Sequence, residues 1–298
     1  MLKKIVFLIA DEGQHTSIER LKKNMGLDNK KIFYGNLSDW EEEDMEECAK
    51  EEILFVTDSS ILLRELKQRG DYAIALLHEN NRSEDLSGTV YAITNMEELE
   101  WESFEKAYLR MAGLPWKIME TKRCIIRETT VADVEKFYKI YAEPSITYYM
   151  EDLFPNPADE TEYTKKYIQE IYGFYGYGLW SILCKENGEV IGRAGLSWRQ
   201  GFDMPELGFV IAVPYQRKGY AFEVCLAIVT YGEQELGFRK IQALVKKENR
   251  ASIHLCRKLG FEWKGRVEDR GAWYEWYVRE TLETGKKECG NGGNNEEK

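Results

Sequence analysis

The segment from Met204 to Ala221 constrains this chain more than any other. An apolar run, Leu207 to Val213, breaks at Pro214 and passes through Gln216-Arg217-Lys218-Gly219-Tyr220-Ala221 into a helical pattern. Proline has no amide hydrogen and cannot continue a central ladder, so the run is a strand that ends there and leans away from its neighbour. A gap in a sheet follows. Gly219 and Ala221 then let a ligand approach the backbone, while the first amides of the next helix point outward unpaired. With the helix dipole and the charges of Arg217 and Lys218, that position suits a pyrophosphate. Phe222, Cys225, Val229 and Leu236 share one side of the helix, and Gly237-Phe238 reads as its stop. Lys240 to Val245 reads as a strand, Asn249 as a cap, and Ala251 to Leu259 as a second helix closed by Gly260-Phe261.

A length of 298 residues exceeds the usual size of a single core, so two cores are expected. Hydrophobic residues at 43% supply enough apolar surface to fold them without metals or disulfides. A net charge of -11 argues against general affinity for nucleic acid or an anionic membrane, and suits a cationic or amine substrate. Cys48, Cys124, Cys184, Cys225, Cys256 and Cys289 form no CxxC pair and no cluster with histidine, which reads as reduced thiols and no metal. No apolar run reaches the roughly 18 residues of a membrane span, and Met1 to Ala10 shows no cleavage pattern. A cytoplasmic protein, monomeric or homodimeric, is expected.

Before residue 115 the chain alternates apolar runs (Ile5 to Ile9, Ile53 to Val56, Tyr72 to Leu77) with helical stretches at Ser17 to Met25 and Leu62 to Arg69. Asp58, Ser59 or Ser60 can cap the second helix and Gly70 end it. This is βαβ order, hence a parallel, Rossmann-like sheet. Glu41 to Glu52 reads as an acidic helix with a solvated face. The pattern breaks at Leu114-Pro115-Trp116 and a new strand opens at Arg123. The expected division is 1–115, 121–282 and a disordered, glycine-rich tail over 284–298.

From about Arg123 to Glu280 the sequence resembles the GNAT superfamily of acetyl-CoA-dependent N-acyltransferases. The family's pyrophosphate signature is met by Gln216, Gly219 and Ala221, joined at the family's spacing by Asn249, Ser252 and Lys258-Leu259-Gly260-Phe261. Ile125-Ile126-Arg127-Glu128 with Asp133, the Gly192 to Gly195 strand and Gly219 to Glu223 look like the branch acting on ribosomal-protein N-termini and related amines. The resemblance implies a mixed α/β domain whose central, mostly antiparallel sheet is splayed at the acetyl-CoA site. It also implies direct acetyl transfer to a primary amine in a ternary complex. Backbone groups of Ile211, Ala212 and Val213 would pair with the pantetheine arm, amides of Arg217, Lys218, Gly219, Tyr220 and Ala221 would hold the pyrophosphate, and Asn249 would either contact the pantetheine end or merely cap a helix.

Attack on a thioester needs a neutral amine, so a proton acceptor is required. Glu206, at the start of the strand that lines the cofactor, stands where many family members place that carboxylate; its alternative is a strand-end residue that only attracts the cationic substrate. Where many members carry an acidic tyrosine this chain has Cys256, either an acid or a buried core thiol. Water, Tyr148, Tyr149 or Ser252 could serve instead. Trp180, Trp198, Tyr148, Tyr149 and Phe154 are candidates for the acceptor wall, with core packing as the alternative for each. His254 reads as a surface residue.

The first half more loosely resembles the C-terminal crossovers of haloacid-dehalogenase-like phosphatases. Those enzymes use a strand-end Asp-x-Asp, whereas here the first strand ends Asp11-Glu12-Gly13. A degenerate, non-hydrolytic module is therefore expected rather than a phosphatase. The remaining alternatives are a bifunctional protein and an acyl-CoA-binding regulator that has lost turnover.

Overall fold

The computed structural model describes residues 1–26, 32–35, 49–96 and 98–281. Most of the acidic stretch, Cys48, Cys289 and the tail from 282 lie outside the described residues. The chain divides into two compact units, Met1–Trp116 and one beginning at Lys117.

In the first unit, β1 (Lys4–Leu8), β2 (Ile32–Tyr34), β3 (Ile53–Thr57), β4 (Tyr72–Leu76) and β5 (Ala92–Ile93) form an all-parallel sheet in the order β2-β1-β3-β4-β5. The parallel sheet was legible, but its order is 2-1-3-4-5 and not the 3-2-1-4-5-6 of the Rossmann arrangement. Every residue of β1 and β3 is buried, as strands covered on both faces must be. Ile5, Phe7, Leu54 and Val56 pack with α1 (His15–Met25) and the later helix Trp101–Met111. Val6, Leu8 and Phe55 pack instead with Leu63 and Leu66 of α2 (Ser60–Gln68). Ser59 is the cap of α2, its side chain accepting from the Leu62 amide, and Trp101–Met111 is α3. The strand at Ile32–Tyr34 escapes sequence reading because three residues carry no period.

In the second unit, β6 (Lys117–Glu120), β7 (Cys124–Arg127), β8 (Leu179–Cys184), β9 (Val190–Trp198), β10 (Pro205–Ile211), β11 (Lys240–Val245), β12 (Glu262–Asp269) and β13 (Ala272–Glu280) form a mixed sheet in the order β12-β13-β11-β10-β9-β8-β7-β6. All its pairings are antiparallel except β10 with β11. Those two parallel strands meet at a single register pair, Glu206 with Gln242, and then part. On one face lie α4 (Val134–Tyr141), the short α5 (Pro144–Thr147) and α6 (Pro157–Tyr167), anchored by Phe137, Ile140, Tyr141 and Ile146 against Val210. On the other lie α7 (Tyr220–Gln234) and α8 (Arg250–Lys258), whose Val224, Ile228 and Leu255 pack with Trp180, Ile191 and Leu196.

β10 stops at Ile211, two residues before the expected end, because Val213–Tyr215 winds into a 3-10 turn with Pro214 at its centre. Proline's fixed φ favours that turn, and the strand breaks as a consequence. α7 likewise ends at Gln234, before Gly237, yet the Phe238 amide still donates to Gly232 O (2.9 Å) and closes the end. α8 ends as expected: Gly260 adopts φ +81° and the Phe261 amide donates to Cys256 O (2.9 Å). No helix among the described residues is long and apolar enough to cross a membrane.

Candidate functional site

The parting of β10 and β11 opens a cavity of about 790 Å³ that runs from the Gln216–Phe222 turn to Glu206. At one end Arg217 and Gly219 both take positive φ (58° and 83°), so the turn presents its amides and leads into α7. Among the described residues the amides of Arg217 to Phe222 have no backbone partner at normal hydrogen-bond distance, the first helical bond being Glu223 N to Gly219 O at 3.1 Å. Those of Gly219 to Phe222 are the orphan donors of a 15-residue helix, and the turn sets those of Arg217 and Lys218 before them, where a diphosphate can sit. The turn is braced from behind. Arg123 donates to Lys218 O (2.9 Å), lies over the Tyr220 ring at 4.0 Å and grips Glu223 at 2.7 Å. Gln216 Nε2 donates to Ile211 O (2.8 Å), tying the turn to the strand end.

The three strand residues expected to meet the pantetheine differ among themselves. Ala212 is committed on both sides: its amide donates to Ile191 O (2.8 Å) and its carbonyl accepts from Tyr215 N (2.8 Å). The Val213 carbonyl accepts from the Gln216 amide (3.1 Å). Past Leu207 β10 has no partner on its β11 side, so the amides available to an added strand are those of alternate residues such as Ile211. Asn249 caps α8, its Oδ1 accepting from the Ser252 amide at 3.1 Å, and both residues also line the cavity.

At the fork, Glu206 is 9% exposed and its carboxylate is held by Arg199, with Nη2 3.2 Å from Oε1. Arg199 also grips Asp269 at the end of β12, and the Leu244 amide donates to Glu206 from across the fork. Burial pushes the Glu206 carboxyl above the ordinary glutamate range, and Arg199 opposes that push. Glu206 is thus a desolvated carboxylate at the cavity wall, ion-paired rather than solvated.

Several expected site residues lie elsewhere. Cys256 is 0% exposed on the core side of α8, and burial pushes its thiol up to about 12. It packs in the core and does not line the cavity, so it cannot take the place of the family's tyrosine. Trp180 is also 0% exposed, edge-on to Tyr231, and belongs to the same core. Trp198, 46% exposed, is turned to Tyr177 and Phe238, and Tyr148 is 66% exposed, its ring edge-on to Tyr149 at 4.8 Å and its carbonyl accepting from Lys246 at 3.2 Å. Neither forms cavity wall. Phe154, 47% exposed, does not line it either; of the expected aromatics Tyr149 does, and so does His254, at the exposed end.

The aromatic wall is built instead by Phe137, Tyr163 and Tyr167, which sequence reading passed over. Tyr163 and Tyr167 stand four apart on α6, and the Tyr167 hydroxyl accepts from the Leu179 amide (2.8 Å) while burial raises its phenol to about 12. The i, i+4 spacing was the available signal, but such a stripe equally describes core. Arg193 and Arg199, also lining residues, carried no signal beyond their charge.

Residues 123–262 match the family model of the acetyltransferase (GNAT) domain. An uncharacterized N-acetyltransferase, YoaA, of Bacillus subtilis is 31% identical over 154 residues, 50% of this chain and 84% of that protein. Spermidine N(1)-acetyltransferase of Escherichia coli is 37% identical over 62 residues, 21% of this chain and 33% of that protein. A putative GNAT-family acetyltransferase from Bordetella pertussis superimposes with a TM-score of 0.48 at 22% identity, over 54% of this chain and 98% of that one. The second unit is thus an acyltransferase. The chain belongs to the GNAT family of acetyltransferases, whose acyl donor is acetyl-CoA.

Proposed function

We propose that the second unit acetylates a primary amine by direct attack on acetyl-CoA within a ternary complex. The observation that carries this reading is the single-pair fork at Glu206 and Gln242, with partnerless amides at one end of the cavity and a desolvated carboxylate at the other. Bound acetyl-CoA supplies a thioester whose carbonyl is the electrophile. Amides of Arg217 to Ala221 hold its diphosphate, with Arg217 and Lys218 supplying countercharge. The open side of β10, chiefly at Ile211, pairs with the pantetheine arm as an added strand. The side-chain amide of Asn249, whose oxygen caps α8, faces that arm with its nitrogen.

Glu206 takes the amine proton through water, and a carboxylate whose affinity for protons is raised by burial is the better base for it. Arg199 keeps that carboxylate ionised and pointed at the fork. The departing CoA thiolate is a good leaving group and takes its proton from solvent. Small amines and peptide N-termini both satisfy this chemistry.

Incubating the full chain with acetyl-CoA and a panel of amines, while following free thiol, tests the proposal. Release that depends on the acceptor and falls by roughly 100-fold in Glu206→Gln supports it. Coenzyme binding without acceptor-dependent release across the panel replaces it with an acyl-CoA sensor.

A further inference from the structure

We propose that Arg193 makes the acceptor site selective for amines that carry a carboxylate, an inference that rests on the acetyl-transfer reading above. The other half-buried arginines of this unit, Arg123, Arg127, Arg199 and Arg279, each grip a carboxylate. Arg193 is half-buried in the cavity wall and has no carboxylate within ion-pair distance among the described residues. Its Nε donates to the Tyr141 hydroxyl (2.8 Å), and its guanidinium lies 5.2 Å from the Phe137 ring and 5.0 Å from the Tyr141 ring. Those contacts fix the plane of the guanidinium and leave the two terminal nitrogens without an acceptor among the described residues.

The terminal nitrogens open to the cavity, and the fork of a guanidinium there matches a carboxylate in two parallel bonds. The nearby acids do not complete it. Glu160 is buried but accepts from the Phe154 amide (3.1 Å), and Glu151 lies on an exposed loop at the cavity rim.

Placement relates this cation to the proposed base. Across β9 and β10, Arg193 is opposite Val210 and Ser197 is opposite Glu206, so Arg193 and Glu206 share one face. They are separated by four residues, roughly 13 Å of strand. Between them β10 carries only Gly208, where the Leu179 side chain reaches to 3.3 Å from the position of a Cβ, and both residues line the cavity beside Tyr163 and Tyr167. An acceptor with its amine at Glu206 and its carboxylate at Arg193 spans that distance with several bonds. An ω-amino acid does so, and so does a peptide with an acidic residue next to its N-terminus.

The test compares ω-amino acids with alkylamines of equal length, and dipeptide amides Ala-Glu with Ala-Gln, as acceptors for the full chain and for Arg193→Met and Arg193→Lys. Wild-type protein is expected to favour the carboxylated member of each pair. Arg193→Met should cut kcat/KM for that member by roughly 10- to 100-fold, mainly through KM, and lower that for the uncharged member far less. Arg193→Lys should recover part of the loss. Selectivity confined to the ω-amino acids identifies a small-molecule acceptor, and selectivity confined to the dipeptides a peptide N-terminus. A variant that slows both members of each pair equally, as loosening of α4 would, overturns the proposal, and so does a wild-type preference for uncharged amines. If no amine releases thiol the acetyl-transfer reading fails instead, and calorimetric titration of 6-aminohexanoate into the protein with CoA decides for Arg193. Weaker binding to Arg193→Met sustains it, and equal binding overturns it.

Discussion

In the first unit the crevice where strand order reverses, between β1 and β3, is filled from within. The Asp58 carboxylate accepts from the amides of Ala10 (2.8 Å) and Asp11 (3.0 Å) and stands 3.2 Å from His78 Nε2. Asn80 donates to Asp11 (2.8 Å), and Asn81 to the Leu76 (2.8 Å) and Asp58 (3.1 Å) carbonyls. In the second unit the corresponding resource, the amides at a helix start beside a parting of strands, is left open along Arg217 to Phe222. The difference teaches that position at a strand end is not enough. Donors already used by the chain hold the fold together, and donors left over beside a cavity are available to a ligand. The described cavity of the first unit agrees with this: it measures about 360 Å³ and lies along α2, between Ser60, Lys67 and Asp85, rather than over Asp58.

The comparison breaks most visibly at Gly219. A β-branched residue at φ +83° is strained and turns the amides, so Gly219→Val is expected to weaken coenzyme A binding on the order of a hundredfold, as read by calorimetry. Asp58→Ala should do the reverse. Unpairing the amides it holds is expected to destabilise the first unit by about 2–4 kcal/mol in chemical denaturation, with coenzyme affinity unchanged. Coenzyme affinity that falls in Asp58→Ala would erase the distinction.

A smaller effect is expected at Arg199. A general base must be ionised, so the rate rises with pH through the Glu206 pKa, which burial holds high and Arg199 holds down. Removing the guanidinium in Arg199→Met raises that pKa further and moves the acidic limb of the pH–rate profile to higher pH. A limb that stays in place removes Glu206 from the role. The smallest change is at Asn249, where Asn249→Ala loses the α8 cap and should cost about 1 kcal/mol of stability. A larger loss in coenzyme affinity than in stability would show that its free nitrogen also binds.

Sequence showed the second unit's site where a local rule governs. Pro214, Gly219 and the helix after them are contiguous, so the turn and its free amides follow from residue chemistry alone. The acceptor wall is not contiguous. Phe137, Tyr163, Arg193 and Arg199 come from α4, α6, β9 and the end of β9, and only the folded sheet sets them side by side. For the same reason Trp180 and Tyr149 could not be told apart as wall or core: an aromatic residue carries no mark of the face its element will present. In the first unit the βαβ rhythm disclosed a parallel sheet, but the order 2-1-3-4-5 depends on where β2 inserts, and Ile32–Tyr34 is too short to announce itself.

Hydrogen exchange of the full chain with and without coenzyme A tests the central claim most directly. Slowed exchange is expected at the amides of Arg217 to Phe222 and at Ile211, with none at Ala10 to Gln14 or Ser59 to Leu62. Unchanged exchange around Gly219, with protection appearing beside Asp58 instead, would contradict it.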